Sequence, residues 1–199
     1  QEYEDAQAGP PQPWMKEILH FGGGDDVAQQ GLLSGYLDIF KNVMEDSLFG
    51  GHVTTYLKYN SNPIVINQSD SLQAQIDSGI AVMTFFGHAS GSGFDQSTDE
   101  PSAYNNQGRY PVIVANSCFA GDFHAYQKSV SEKFVLEPRK AAIAFIASVG
   151  QGIPYDLYNY SNAFFENASY YNYGATIGQL MKKAVETIQL PNQENIRIV

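Results

Sequence analysis

The sequence predicts an α/β domain with a mostly parallel sheet and helices on both faces, and three observations point to it. The runs Ile80-Ala81-Val82-Met83-Thr84-Phe85-Phe86, Pro111-Val112-Ile113-Val114-Ala115 and Ala141-Ala142-Ile143-Ala144-Phe145-Ile146-Ala147 are unbroken rather than alternating, as strands covered on both faces must be. Segments of helical spacing separate the apolar runs, so strands alternate with helices and parallel pairing follows. A chain of 199 residues, 43% hydrophobic and 16% charged, is long enough for one domain with a sizeable core.

Residues 1–13 hold four Pro and Gly residues, several acids and no apolar periodicity. They are expected to be a linker, with the folded domain at 14–199 forming part of a longer polypeptide. Lys16 to Phe21 can form the first strand, stopped by Gly22-Gly23-Gly24. Asp25 or Asp26 can then cap a helix running toward Leu48, with Leu32, Leu33, Tyr36, Ile39, Phe40 and Val43 at helical spacing and Gly50-Gly51 at its end. Val53 to Leu57 is β-branched and aromatic. Ser69 or Asp70 can cap a short helix through Ile76, ended by Gly79. Further helices are expected near Val130–Leu136, Leu157–Glu166 and Ala175–Ile188.

Composition excludes several functions. A net charge of -10 repels phosphate backbones and anionic membrane surfaces, and the 11 Lys and Arg residues form no dense cluster, so no nucleic-acid partner is expected. No run approaches the ~18 apolar residues that a membrane-spanning helix needs. One cysteine cannot make an internal disulfide or a multi-cysteine zinc site; its thiol is either buried and structural or reactive.

In an open parallel sheet the binding crevice lies beyond the carboxyl ends of the strands. Two of the apolar runs end there in reactive side chains: Gly87-His88-Ala89-Ser90-Gly91 after one, and Asn116-Ser117-Cys118-Phe119-Ala120-Gly121 after the next. A lone strand-end cysteine is otherwise a small buried hydrophobe, and a lone histidine a structural residue. If the strands are neighbours, the imidazole and the chain's only thiol converge as an activated cysteine nucleophile requires. The small residues around both let a substrate backbone approach and leave main-chain N–H groups available as oxyanion donors.

These segments, together with Ala144-Phe145-Ile146-Ala147-Ser148, resemble the gingipain-type cysteine peptidases, relatives of caspases and legumains. The resemblance extends more weakly from Trp14 to about Ile188. It implies a caspase-like three-layer sandwich, a His88–Cys118 catalytic dyad, and oxyanion donors at the N–H groups of Ala89 and Cys118. It also implies that Asp26, or else Asp25, binds a basic P1 side chain, with Tyr155 as an aromatic wall of the P1 pocket. A helix cap is the competing role for Asp26. The chain departs from the family pattern in having Ala89 where Gly usually follows the histidine, and in lacking an acid near Phe21 that would orient the imidazole. Val199 also falls short of a Gly-Asp-Pro segment usual before the family's last strand.

Other motifs are weaker. Gly22-Gly23-Gly24 is a poor dinucleotide fingerprint, because Val27 replaces the last glycine and two aspartates face the would-be phosphate. No Gly-x-Ser-x-Gly elbow occurs. Asp95, Ser97, Asp99 and Glu100 supply oxygen ligands suited to a structural calcium ion, against which a solvated acidic turn is the favoured reading. His124 is a reserve base, while His20 and His52 are expected to be structural or exposed.

The leading expectation is a cysteine endopeptidase acting on polypeptides, with no cofactor and no catalytic metal. A sortase or signal peptidase using the same dyad, and a degenerate scaffold domain, are the alternatives. The resemblance and the lone cysteine suggest a secreted or bacterial cell-surface protein with flanking domains.

Overall fold

A computed structural model describes residues 1–46, 48–60, 62, 65–66, 70–90, 93–97, 100–124 and 128–189. Strands β1 (Glu17–Gly22), β2 (His52–Leu57), β4 (Val82–Phe86), β8 (Val112–Asn116) and β9 (Ala144–Ala147) form one sheet in the order β2-β1-β4-β8-β9, with every neighbouring pair parallel. Two small ladders lie beyond its carboxyl edge: β3 (Val65–Ile66) with β7 (Gln96–Ser97), and the hairpin of β5 (Ala89–Ser90) with β6 (Gly93–Phe94).

Because strand side chains alternate, each central strand feeds two cores. Leu19, Phe21, Met83, Phe85, Ile113 and Ala115 pack with Leu72 and Ile76 of α3 (Asp70–Ser78) and with Phe134 of α4 (Val130–Val135). Ile18, Phe86 and Val114 face the other way. They meet Leu33, Leu37 and Phe40 of α2 (Val27–Glu45), Phe164 and Phe165 of α5 (Pro154–Glu166), and Leu180 and Ala184 of α6 (Ile177–Ile188). This is the expected sheet with helices on both faces.

Local chemistry sets the helix ends. Asp26 caps α2 by accepting from the Gln29 N–H at 2.9 Å. Reciprocal capping boxes start α4 at Ser129/Glu132 and α6 at Thr176/Gln179. Gly79, with φ +104°, takes the left-handed turn after α3.

Some expectations need correction. Residues Glu2–Ala8 form a short exposed helix, α1, tied to the domain by Glu2, which accepts from Tyr110 Oη at 3.0 Å and Gln107 Nε2 at 2.9 Å. The buried stripe of α2 is Leu33, Leu37, Phe40, Val43 and Met44; Leu32 and Ile39 are exposed, since only one side of the helix faces the sheet. The third apolar run is a strand only over Ala144–Ala147, and it lies half-buried at the sheet edge. Ser69, offered as a cap for α3, lies outside the described residues.

Candidate active site

The strand order reverses between β1 and β4, since β1 leads to β2 on one side and the chain then returns to place β4 on the other. The crevice of an open parallel sheet opens at such a switch point. The register is flush, with Gly22 opposite Phe86 and Phe86 opposite Asn116. His88 therefore stands two residues beyond the end of β4, and Cys118 two residues beyond the end of the adjacent β8.

The His88 ring is half-exposed at 47%. Its Nε2 lies 3.0 Å from Gln29 Oε1 and 3.4 Å from Asp25 Oδ2. Gln29 Oε1 also accepts the Asp25 N–H at 2.7 Å, so the first turn of α2 and the residue before its cap together hold the imidazole. No acid stands near Phe21, and the carboxylate beside the ring is that of Asp25, three residues past the end of β1.

Cys118 is part-buried, with its Sγ accepting the Gly152 N–H at 3.3 Å and lying 3.7 Å from Gly152 O. Phe119, the next residue, has φ 55°, a left-handed conformation that costs a residue with a side chain about 1–2 kcal/mol. The loop after β9 holds it there: Phe119 N–H donates to Gly150 O at 2.9 Å and Gly121 N–H to Ser148 O at 3.0 Å. Strain of this kind clusters at sites that need a fixed geometry.

The remaining expected residues fall as follows. Asp26 is occupied by its cap bond to Gln29. Asp25 faces His88 and is 69% exposed. Ala89 begins the β5–β6 hairpin, and Tyr155, 62% exposed, sits in the first turn of α5. His124 is exposed and its ring lies 4.2 Å from that of Phe123. His52 bonds Glu17 at 2.9 Å on the surface. His20 is fully buried, and burial together with the positive charge of Lys41 pushes its pKa down to about 3.

The acidic loop offered for calcium is divided. Asp95 is buried and paired with Lys58 at 3.4 Å, which removes its carboxylate from an open ligand set; Asp99 and the Ser97 side chain lie outside the described residues. Among the described residues no group of three or more His, Cys, Asp or Glu could hold a metal ion. A cavity of about 620 Å³ lies between β9, α5 and α6, and Gly150, Gly152 and Asp156 are among its lining residues.

Gln29, Gly152 and the Lys58–Asp95 pair were not singled out from sequence. A signal existed for the first, because Asp26-Val27-Ala28-Gln29 fits the spacing of a capping box. For Gly152 none did, since its bond to sulfur depends on how two loops meet.

The thiol and the imidazole stand beyond adjacent tips of a parallel sheet, between loops of small residues, in an α/β protein of caspase-like fold. The profile of peptidase family C25 matches residues 1–198, and the chain belongs to that family, the gingipain family of cysteine peptidases. Among solved structures, the Arg-specific cysteine proteinase gingipain R (RGPB) superposes with a TM-score of 0.67 at 16% identity, over 89% of this chain and 43% of that one. The complex of Porphyromonas gingivalis RgpB pro- and mature domains gives 0.65 at 14% identity, over 88% and 43%. A structure described as a protease gives 0.69 at 15%, over 92% and 43%. The chain thus spans less than half the length of these structures. No curated protein matches it significantly.

Proposed function

We propose that this domain is the catalytic part of a secreted or surface-exposed cysteine endopeptidase in which Cys118 is the nucleophile and His88 the acid–base partner. The observation that carries this reading is the flush register of β4 and β8, which end level as neighbours, with His88 and Cys118 each two residues beyond its own strand. The imidazole is held by Gln29 and Asp25, and the sulfur by Gly152, so the two groups face a substrate from separate loops.

In the reaction, Cys118 Sγ attacks the scissile carbonyl carbon and His88 gives a proton to the departing amine, leaving a thioester. Water, deprotonated by His88, then attacks the thioester and releases the acid and the thiol. The Ala89 N–H is suited to the oxyanion: Asp95 N–H donates to His88 O at 2.9 Å, and Ala89 opposite Phe94 is the next pair along the hairpin. Antiparallel pairs alternate, so this one is non-hydrogen-bonded and the Ala89 N–H points out of the ladder. The Cys118 N–H is the second donor in this reading.

A preference for Arg or Lys at P1 is supported by the net charge of -10 and by the exposed Asp25 carboxylate at the crevice. Asp25 is better suited to it than Asp26, whose carboxylate is committed to the helix cap. Tyr155, exposed at the start of α5, fits an aromatic wall of that pocket. The test is alkylation by iodoacetamide across pH 5 to 9, paired with peptide cleavage. A Cys118 that reacts no faster than a free thiol at every pH, in a chain without turnover, would make the domain a scaffold. Product analysis with an added amine separates hydrolysis from transpeptidation.

A further inference from the structure

Against the backbone that carries His88 lies an ion pair that the reaction does not use. Lys58, the first residue after β2, is 3% exposed, and Asp95, between β6 and β7, is 5% exposed. Their side chains meet at 3.4 Å. A buried pair with no direct role in holding a core together is costly to keep, because both charges are desolvated.

Its surroundings say what it does. The Asp95 carboxylate accepts the Gly24 N–H at 2.7 Å, and the Asp95 N–H donates to His88 O at 2.9 Å. Lys58 N–H donates to Gly22 O at 2.8 Å, and Gly23 N–H to Phe86 O at 2.8 Å. A Cβ on Gly23 or on Gly87 would collide with Asp95 Oδ1, so both glycines leave room for this one carboxylate. Three loops are thereby tied together: the turn that delivers Asp25, the tip of β2, and the segment that carries His88.

We propose, on the basis of the dyad reading, that Asp95 is a positioning residue for His88, fixing the imidazole relative to Asp25 and Gln29 through its side-chain bond to Gly24, with Lys58 as its buried counter-ion. Asp95 touches no substrate. It acts by joining the Gly24 turn to the backbone of His88, so that the 3.4 Å and 3.0 Å contacts of the ring are held in one geometry.

Removing the carboxylate alone strands the Lys58 cation, so the test changes both residues. Asp95→Ala with Lys58→Met cuts the link to Gly24 without leaving a charge behind. In a folded protein it should lower kcat by about 10- to 100-fold with KM within about twofold, the scale of a small misplacement of a catalytic group. Asp95→Asn with Lys58→Met keeps an acceptor for Gly24 and should recover most of that loss. In a Cys118→Ala background, the His88 ring signal in NMR should be single in the parent and broadened or doubled in the alanine pair. Should the alanine pair fail to fold, Asp95→Ser with Lys58→Met, whose side chain falls short of Gly24, decides in its place. A folded alanine or serine pair with parental kcat and one sharp His88 signal overturns the proposal. A parent chain without turnover would sink the peptidase reading, and the ring signal would still decide this one.

Discussion

His20 offers the cleanest link between this fold and pH. It is fully buried on β1, facing α2 and α5, and its ring centroid lies 6.5 Å from that of Phe165. Burial, helped by Lys41, pushes its pKa down from 6.5 to about 3. Between those two values the unfolded chain binds a proton that the folded chain refuses. Stability from this group is therefore complete above about pH 6.5 and is lost as pH falls toward about 3, at up to about 1.4 kcal/mol per pH unit. At pH 4.5 the folded ring is still neutral, so the unfolded value of 6.5 sets the loss, at about 3 kcal/mol. His20→Leu removes the proton site at similar volume. Urea unfolding of the Cys118→Ala chain, with and without His20→Leu, should give stabilities whose difference changes by about 3 kcal/mol between pH 7 and pH 4.5 in favour of leucine. The carboxylates titrate in both proteins and cancel in that comparison. Two stability curves that run parallel across this range would refute the burial argument.

Cys118→Ala should abolish peptide cleavage while changing stability by less than about 1 kcal/mol, because the site is part-buried and the volume change small; surviving cleavage would mean that the nucleophile lies elsewhere. Asp26→Asn should leave both helix stability and P1 ranking nearly unchanged, since Asn caps about as well as Asp. Asp25→Asn should weaken any preference for Arg or Lys and also lower kcat, because the same carboxylate faces His88; a substrate panel on both variants separates the roles. Phe119→Gly should alter stability by less than about 1 kcal/mol, since relief of the left-handed strain offsets the added freedom of the unfolded chain, whereas Phe119→Val should cost more than about 1 kcal/mol. Equal unfolding midpoints for the Gly and Val variants would count against strain at this position.

Much of the fold was legible because its signals are local. The continuous runs around Val82–Phe86 and Val112–Asn116 could only be strands with both faces covered, and Gly79 marked the end of α3. The same reasoning put His88 and Cys118 on one edge, since position after a strand in a parallel sheet is enough to assign an edge. What sequence misread followed from tertiary packing. The third run resembles the other two, yet its place at the end of the sheet order leaves it half-exposed. The acids and prolines of residues 1–13 carry no periodicity, and Glu2 binds to the domain through Tyr110 and Gln107, more than a hundred residues away in the chain.

The glycines show most directly where local reading ends. Gly22-Gly23-Gly24 was legible as the stop of a strand, and Gly87 as a small neighbour of His88. Neither reading says why a methyl group is excluded at Gly23 and at Gly87 alike. The common cause is Asp95, whose carboxylate occupies the space that both side chains would need. In the sequence that aspartate looks like one acid of a surface turn, because nothing near it reveals that Lys58, 37 residues earlier, comes to meet it out of water. Two permissive turns and a buried ion pair are thus one device, and only the meeting of the loops at the carboxyl edge makes it visible. It follows that substituting either glycine with alanine should act like the loss of Asp95, displacing its carboxylate from Gly24. Gly87→Ala should then lower kcat by a factor comparable to that of the Asp95→Ala pair, and combining the two should cost little more than either alone, as expected when two changes break one link. Losses that multiply in the combined variant would show that Gly87 and Asp95 act on His88 by separate routes.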